Sequence, residues 1–509
     1  MTPNRPPDLV LKTIELKDGI AVKPISSGQD STLHSNDTAT GAPRFPSKHV
    51  MDCSPDAARL AELKDLYGLG DEVEYLKRYV RFSRRPEQTF LPGDAKNEGF
   101  HKIQLSPGSS LPKQECDKPL EVSVTQSPFP GNVDLSGYIF GVSTTINRFN
   151  HPSTIEHWTF WLTDGHGKSN GGRLILRLVD ATDPQLEDVA QRLADAGIDA
   201  EVGAWDSRVE KPMAKRYFNI APLLYQADPN RKWFVVCDDD TFFTAINGLV
   251  TSLQRFDHTK PFYIGALSED MHAISVHGSH AYGGAGVFLS RALAETIYNV
   301  RDTCNTRAKV RQSNSGYGSQ GDILLRLCID DNANVRLVPL RDLWQLDLVG
   351  DGSGFFEAGF KPHSVHHFKG GWWFTAYPLE STKIAHTCGE DCLFQRFITT
   401  DNFIISNGYS IAQYPEGIDF NLDQVEHTFR AISKDRGNNF DLVFGPQRPT
   451  LSRTGRKIAW ELRESNVDEE DGSVVQVYVR KKDDKRWMTE DGKRMRGLAG
   501  IIELVWVAE

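Results

Sequence analysis

Residues 231–243 read RKWFVVCDDDTFF, so Asp238, Asp239 and Asp240 stand directly behind the apolar run WFVVC. Three adjacent carboxylates repel one another and cost stability unless a cation or the solvent takes up the charge. A hard divalent cation prefers carboxylate oxygens. Held also by a diphosphate, such an ion would offset the crowding and polarise a leaving group. In open α/β sheets ligands gather at the carboxyl ends of strands, which is where these acids fall. The plainer alternative is a solvated turn or a helix N-cap, with Asp240 capping TFFTAINGLV. A phosphatase of the Asp-x-Asp-x-Thr kind shares the strand-then-acids layout but wants Thr or Val at position 242, which is Phe.

Three further clusters could join this chemistry. YGGAGVFLSRALAETI, 282–297, has a glycine-rich turn at Gly283, Gly284 and Ala285 that lets backbone approach a ligand closely. A helix is expected to follow, with Ser290 as N-cap and Leu293 and Ile297 on one face. GYGSQGDILLRLCI, 316–329, opens an apolar helical segment with Asp322. That carboxylate suits the helix dipole as a simple cap, or stands at a pocket mouth to take a proton from a hydroxyl. PHSVHHFKGGWW, 362–373, concentrates His363, His366 and His367 with two tryptophans. Imidazole joined with carboxylates suits manganese or a similar ion, and tryptophan faces suit sugars as well as core packing. In a strand, His366 and His367 would point to opposite faces, turning one of them inward.

The elements that must position these groups alternate from residue 137 to about 375. Short apolar runs (YIFGVS, RLILRLVDA, WFVVC, FYIGAL, VRLVPL) alternate with amphipathic segments such as PQLEDVAQRLADAG and AKRYFNIAPLLYQA. That pattern predicts an α/β unit with a largely parallel sheet covered on both sides. Before it, residues 1–50 read as a disordered arm rich in Pro, Ser, Thr and Gly. DAARLAELKDLYGLGDEVEYLKRYVRF, 56–82, has helical spacing interrupted by Gly68 and Gly70, and 83–136 is loop-rich, giving a helical and loop-rich stem over 51–136. After residue 400, RKIAWELRES, SVVQVYVRKK and GIIELVWVAE predict a small antiparallel β-rich appendage over 400–509.

The totals bound the rest. A chain of 509 residues calls for two or more structural units, and 39% hydrophobic with 25% charged residues suits a globular protein. A formal charge of −10 gives no support to nucleic-acid binding. No apolar run is long enough to cross a bilayer and no signal-like segment opens the chain. Either the protein is cytoplasmic, or a targeting segment or membrane anchor is absent from this sequence. Seven cysteines are too few for a disulfide scaffold, and their odd number leaves at least one unpaired. Cys237 and Cys328 read as buried thiols. Cys388 and Cys392 could form a small disulfide loop or, with His386, part of a metal site. One sequon is present, Asn36-Asp37-Thr38.

Taken in order, the four clusters resemble the Fringe-like β-1,3-glycosyltransferases of glycosyltransferase family 31, particularly their fungal members. The resemblance covers roughly 137–375. RKWFVVCDDDTFF looks like the family's Asp-x-Asp segment, and FYIGALSED, YGGAGVFLSR, GDILLRLCI and HSVHHF follow in the family's order. It implies a GT-A-type nucleotide-sugar-binding fold over 137–385, a UDP-sugar donor, a glycan or glycoprotein acceptor, manganese, inversion at the anomeric carbon and action in the Golgi lumen. By resemblance Asp240 and His366 would hold the metal, while Asp238 and Asp239 would contact the donor and orient that ligation. VSTTINR makes Thr144, Thr145 and Arg148 nucleotide contacts, and Gly283, Gly284 and Ala285 would border the donor sugar. Asp322 takes the place of the catalytic base, although Gly321 stands where relatives often carry another acid. Gly321, the β-rich tail and the tryptophans also suit a carbohydrate-binding protein without transferase activity.

Overall fold

The apolar runs become strands because β-branched and aromatic residues fill both faces of a buried sheet. A computed structural model describes residues 50–84, 93–96, 99–105, 111, 113–208, 210–430, 440–441, 443–482 and 484–509. The arm expected over 1–50, save its last residue, and the sequon lie outside the described residues. One seven-stranded sheet has the order Leu337–Pro339, Tyr263–Gly265, Val287–Ser290, Trp233–Val236, Tyr138–Thr145, Arg173–Val179, Asp199–Trp205. Trp233–Val236 sits at its centre, parallel to Tyr138–Thr145, and the parallel ladders continue to Asp199–Trp205. Val287–Ser290 runs antiparallel to both of its neighbours. The sheet is therefore mixed: four of its six pairings are parallel, and Val287–Ser290 supplies the two antiparallel ones. The chain returns from Tyr263–Gly265 through the helix Met271–His277, and adjacent antiparallel strands need no crossover.

Alternation along the strands divides the interior in two. Phe140, Leu174 and Val235 join one core with Trp158 and Trp161, whereas Ile139, Ile175, Phe234 and Val236 join another with Phe218, Leu293 and Leu324. The second core carries the helices Met213–Ala227, Arg291–Cys304 and Gly321–Asn332. Ser290 caps Arg291–Cys304 by accepting the Leu293 N–H, as its sequence predicts. Cys328 is not a free thiol: it pairs with Cys304 across two of these helices. Cys53 pairs with Cys116 and Cys388 with Cys392, while Cys237 stays a free, buried thiol.

A second sheet of nine strands combines distant parts of the chain. The antiparallel run from Arg396–Ile398 to Ala499–Ala508 continues into Glu72–Arg84, which lies parallel to Ala499–Ala508 and also pairs His101–Gln104 and Leu120–Val124. The helical spacing read over 56–82 holds only for Ala57–Tyr67, which ends at Gly68 with φ of 63°. Beyond it, Val73, Tyr75 and Leu76 satisfy either period, and ten register partners in Ala499–Ala508 decide for the strand. The region 51–136 is thus partly β, and the C-terminal strands are no separate antiparallel appendage. Their core also takes in Phe242, Val365 and Phe368, which flank the acids and histidines of the sequence motifs. All described residues belong to one compact unit, Pro43–Glu509.

That core encloses a charge-balanced quartet. Lys457 Nζ lies 2.8 Å from both Glu357 Oε1 and Glu426 Oε2, and Arg448 reaches Glu357 at 3.0 Å and Glu426 at 2.8 Å. Glu357 closes the helix Ser353–Glu357, just ahead of the histidine motif. Removing one partner leaves buried carboxylates uncompensated. Lys457→Met is therefore expected to lower unfolding free energy by about 3–5 kcal/mol in a denaturant titration. A change below 1 kcal/mol, the range of exposed ion pairs, would contradict that arrangement.

Candidate active site

The central strand Trp233–Val236 leaves its ladder at Cys237, whose N–H still donates to Gly141 O at 3.1 Å. Asp238, Asp239 and Asp240 emerge there. Thr241 fixes their turn: its hydroxyl accepts the Asp238 N–H at 3.0 Å and donates to Gly284 O at 2.9 Å. Asp240 caps no helix, because Ile246–Leu253 starts from Ala245. Instead Phe242–Phe243 pairs antiparallel with Ser364–Val365, Val365 opposite Phe242. One step past that ladder, His366 meets the acids: Nε2 is 3.1 Å from Asp240 Oδ1 and 3.6 Å from Asp238 Oδ2. His366 Nδ1 lies 3.3 Å from Gln345 O, which can only accept, so Nδ1 carries a proton and Nε2 faces the carboxylates. His367 does not turn to the opposite face. Its φ of 57° breaks the alternation, and its ring lies 3.6 Å from that of His366 and stacks on Trp373 at 4.0 Å.

The three acids have three different settings. Asp239 is gripped by Arg148, whose Nε donates to Oδ2 at 2.6 Å and whose Nη2 pairs with Oδ1, and by the Thr144 hydroxyl. Burial opposes ionisation of Asp240, yet the hydrogen bond and charge of His366 outweigh it and hold this carboxyl well below the usual range. Burial lowers His366 in turn, but Asp240 lifts it to about 9. Asp238 keeps 38% of its side chain open to the cavity. The protein mass around it nevertheless pushes its carboxyl up to about 7, His366 pulling the other way and the neighbouring acids adding to the rise.

Thr144, Thr145, Arg148, the three aspartates, Gly283, Asp322 and His366 all line one cavity of about 670 Å³. Thr145 also caps the short helix Ile146–Phe149. Gly284 and Ala285 stand behind the wall: Gly284 lies under the His366 ring, and the Ala285 N–H donates to Gln345 Oε1 at 3.0 Å. Asp322 sits in the first turn of Gly321–Asn332 and accepts the Ile323 N–H at 2.8 Å. Its Oδ2 is 3.2 Å from Nε2 of the fully buried His280. Burial would raise Asp322, but His280 and the Ile323 N–H hold it below the ordinary carboxylate value. At Gly321 an added Cβ would stand 2.4 Å from Tyr217 Cβ, so the place of a second acid is filled by the Tyr217 side chain.

Two supporting residues escaped the sequence reading. One is His280, three positions before Gly283 of the glycine turn. The other is Glu269, whose oxygens accept the N–H groups of Gln345 and Asp347, each at 3.1 Å, and whose carboxyl burial raises to about 8. Glu269 thereby fixes the carbonyl that orients His366, a role outer partners of metal-binding histidines often have. The acid in FYIGALSED was the only signal.

Among the described residues, two groups of His, Asp, Glu or Cys have donor atoms within 4.8 Å of one another: Asp238, Asp240 and His366, and Asp347, His366 and His367. His366 serves both. Its Nε2 faces the first group, and in the second Asp347 is already engaged by Ser268 and by His367 at 3.0 Å. Two carboxylates and an imidazole suit a divalent cation such as manganese, so the first group fits the ion that the resemblance implies. An added Cβ on Gly284 would stand 2.2 Å from His366 Nδ1. Gly284→Ala is expected to displace the ring and weaken manganese binding about tenfold or more in an electron paramagnetic resonance titration. Unchanged affinity would contradict His366 as a ligand.

Comparison with known proteins gives partial matches. A family model described as Fringe-like matches residues 191–347, and one described as Protein of unknown function, DUF604, matches residues 273–502. Among curated proteins no sequence matches. Solved structures similar to part of the chain include the glycosyltransferase GlyE of Streptococcus pneumoniae TIGR4, at 16% identity over 40% of this chain and 45% of that one, TM-score 0.27. A mannosyltransferase from Pyrobaculum calidifontis in complex with GDP-Man and Mn2+ matches at 10% identity over 43% and 58%, TM-score 0.26. Mouse xyloside xylosyltransferase 1 matches at 12% identity over 40% and 85%, TM-score 0.25. The chain spans about half the length of the first two. The strand with its three acids, the glycine turn and Asp322 all lie within the Fringe-like match, and His366 lies within the second.

Proposed function

We propose that the chain is a metal-dependent, inverting glycosyltransferase that moves a hexose or N-acetylhexosamine from a UDP-sugar to a glycan hydroxyl, with a β-1,3 linkage expected. The observation that carries this reading is the convergence of Asp238, Asp240 and His366 at the end of the central strand, in one cavity with Asp322. The Fringe-like match over residues 191–347 supports it. We place the catalytic unit at 137–385, with the strands from 51–136 and 400–509 as its scaffold. Among the described residues no helix is long and apolar enough to cross a membrane. Three disulfides suit an oxidising compartment such as the Golgi lumen.

In this mechanism Asp238, Asp240 and His366 would hold a divalent cation, manganese in first place. When bound, it supplies positive charge against the departing diphosphate. Thr144, Thr145 and Arg148 bind the nucleotide beside Asp239, and Arg216 and Lys369 add positive charge to the same cavity. Gly283, without a side chain, lets the donor sugar come close to the backbone. Asp322, kept ionised and aimed by His280, takes the proton of the acceptor hydroxyl. That oxygen's electron pair forms the bond to the anomeric carbon as the carbon–phosphate-oxygen bond breaks, its pair leaving with UDP. One displacement from the opposite face inverts the configuration. A positioned base contributes on the order of 10²–10⁴ in rate.

Incubation with manganese and a UDP-sugar should release UDP, and Asp240→Ala should abolish that release. Asp322→Asn should lower kcat by about 10²–10⁴ while UDP binding persists. The lone Asp322, with Tyr217 filling the neighbouring position, also suits a sugar-binding protein without turnover. That alternative predicts glycan binding indifferent to chelators and to Asp322→Asn, and no UDP release.

A further inference from the structure

Beside the cavity of the three acids lies a second, of about 420 Å³, and the two share Gln320, Asp322, Gln345, His367 and Trp373. Their charges differ. Arg148, Arg216 and Lys369 line the first, as an anionic nucleotide would need. Among the described residues no lysine or arginine lines the second; the carboxylates of Asp270, Asp322 and Asp347 line it beside His272, His277 and His367, of which His367 pairs with Asp347. An anion entering it would meet like charge at short range in a partly desolvated place.

Aromatic faces complete the second cavity. Tyr282, Tyr317 and Trp373 line it, and Tyr317 is 70% exposed, an unusual state for so large an aromatic side chain. Trp372 and Met271, next in sequence to lining residues, are 69% and 43% exposed. Among the described residues the exposed large aromatic side chains are Tyr317, which lines this cavity, and Trp372, the neighbour of the lining Trp373, and that concentration points to a ligand. Aromatic faces with a negative quadrupole favour the C–H face of a sugar ring, and carboxylates accept strong hydrogen bonds from its hydroxyls. His280 stacks on Tyr282 at 4.3 Å, which ties the wall of this cavity to the group that aims Asp322.

We infer that the second cavity is the acceptor subsite and that it takes a sugar unit bearing no negative charge. The inference rests on the transferase reading above and adds the class of acceptor. Asp322, on the shared wall, then meets the acceptor hydroxyl from one side and the donor from the other.

The test measures UDP release and product formation with manganese and UDP-glucose, UDP-galactose or UDP-N-acetylglucosamine. Lactose, cellobiose and diacetylchitobiose serve as neutral acceptors, each beside a counterpart ending in a uronic acid. Neutral acceptors should have a kcat/KM at least about tenfold higher. Tyr317→Ala should raise the acceptor KM about tenfold, and more than the donor KM. Asp270→Asn, which retains the cap on Met271–His277, should narrow the gap between neutral and acidic acceptors. Equal use of acidic acceptors, an unchanged acceptor KM in Tyr317→Ala, or UDP release with transfer to neither class would overturn the inference. No UDP release from any donor would tell against the transferase reading itself.

Discussion

Two register pairs, Phe242 with Val365 and Phe243 with Ser364, hold the site together. They join segments more than a hundred residues apart and set His366 against Asp240. Ser364 locks the pairing by donating to Ala285 O at 3.0 Å, and Thr241 ties the acid turn to Gly284 O. Because Phe242 and Val365 also belong to the core of the nine-stranded sheet, the ladder cannot slip without disturbing that core. The β-rich scaffold thus has a direct mechanical relation to the cavity: it fixes the register that sets His366 against Asp240.

Electrostatics then divides the labour. Three adjacent carboxylates persist because Arg148 and Thr144 hold one, His366 holds another, and the third is shifted toward its neutral form. Asp322 is kept apart in a different wall, ionised by His280 rather than crowded by the triplet. Of the two cavities that meet there, one is lined by Arg148, Arg216 and Lys369 beside its acids and the other, among the described residues, by no lysine or arginine. A donor that is anionic and an acceptor that is not would be sorted by charge before any hydrogen bond is formed.

Much of this was legible in the sequence. Runs such as WFVVC and YIFGVS are short, apolar and rich in β-formers, so their strands and the acids behind them could be placed. Asp199–Trp205 was not, since no residue of DAEVGAW is fully buried and its polar residues hide the period. Glu72–Arg84 was misread because its apolar residues satisfy both a helical and a strand spacing, and only the distant partner Ala499–Ala508 decides. The Cys304–Cys328 bridge could not be seen either, as pairing depends on how two helices pack. Of the site, Thr144, Thr145, Arg148, the three aspartates, Gly283, Asp322 and His366 were readable from type and order, whereas Arg216 and Lys369 in the same wall were not. His280 and Glu269 were not, because their roles exist only through contacts made in three dimensions. The two histidines shared a side against expectation because a single left-handed residue, His367, ends the strand alternation.

Everything proposed for the chemistry returns to one ion held between the acid turn and the ladder. Anomalous diffraction from crystals grown with manganese and UDP would locate it directly. The account predicts a manganese peak within coordination distance of both Asp240 and His366 Nε2, with the diphosphate on its open side. A peak at Asp347 and His367 instead, or none in the cavity while UDP is bound, would contradict it.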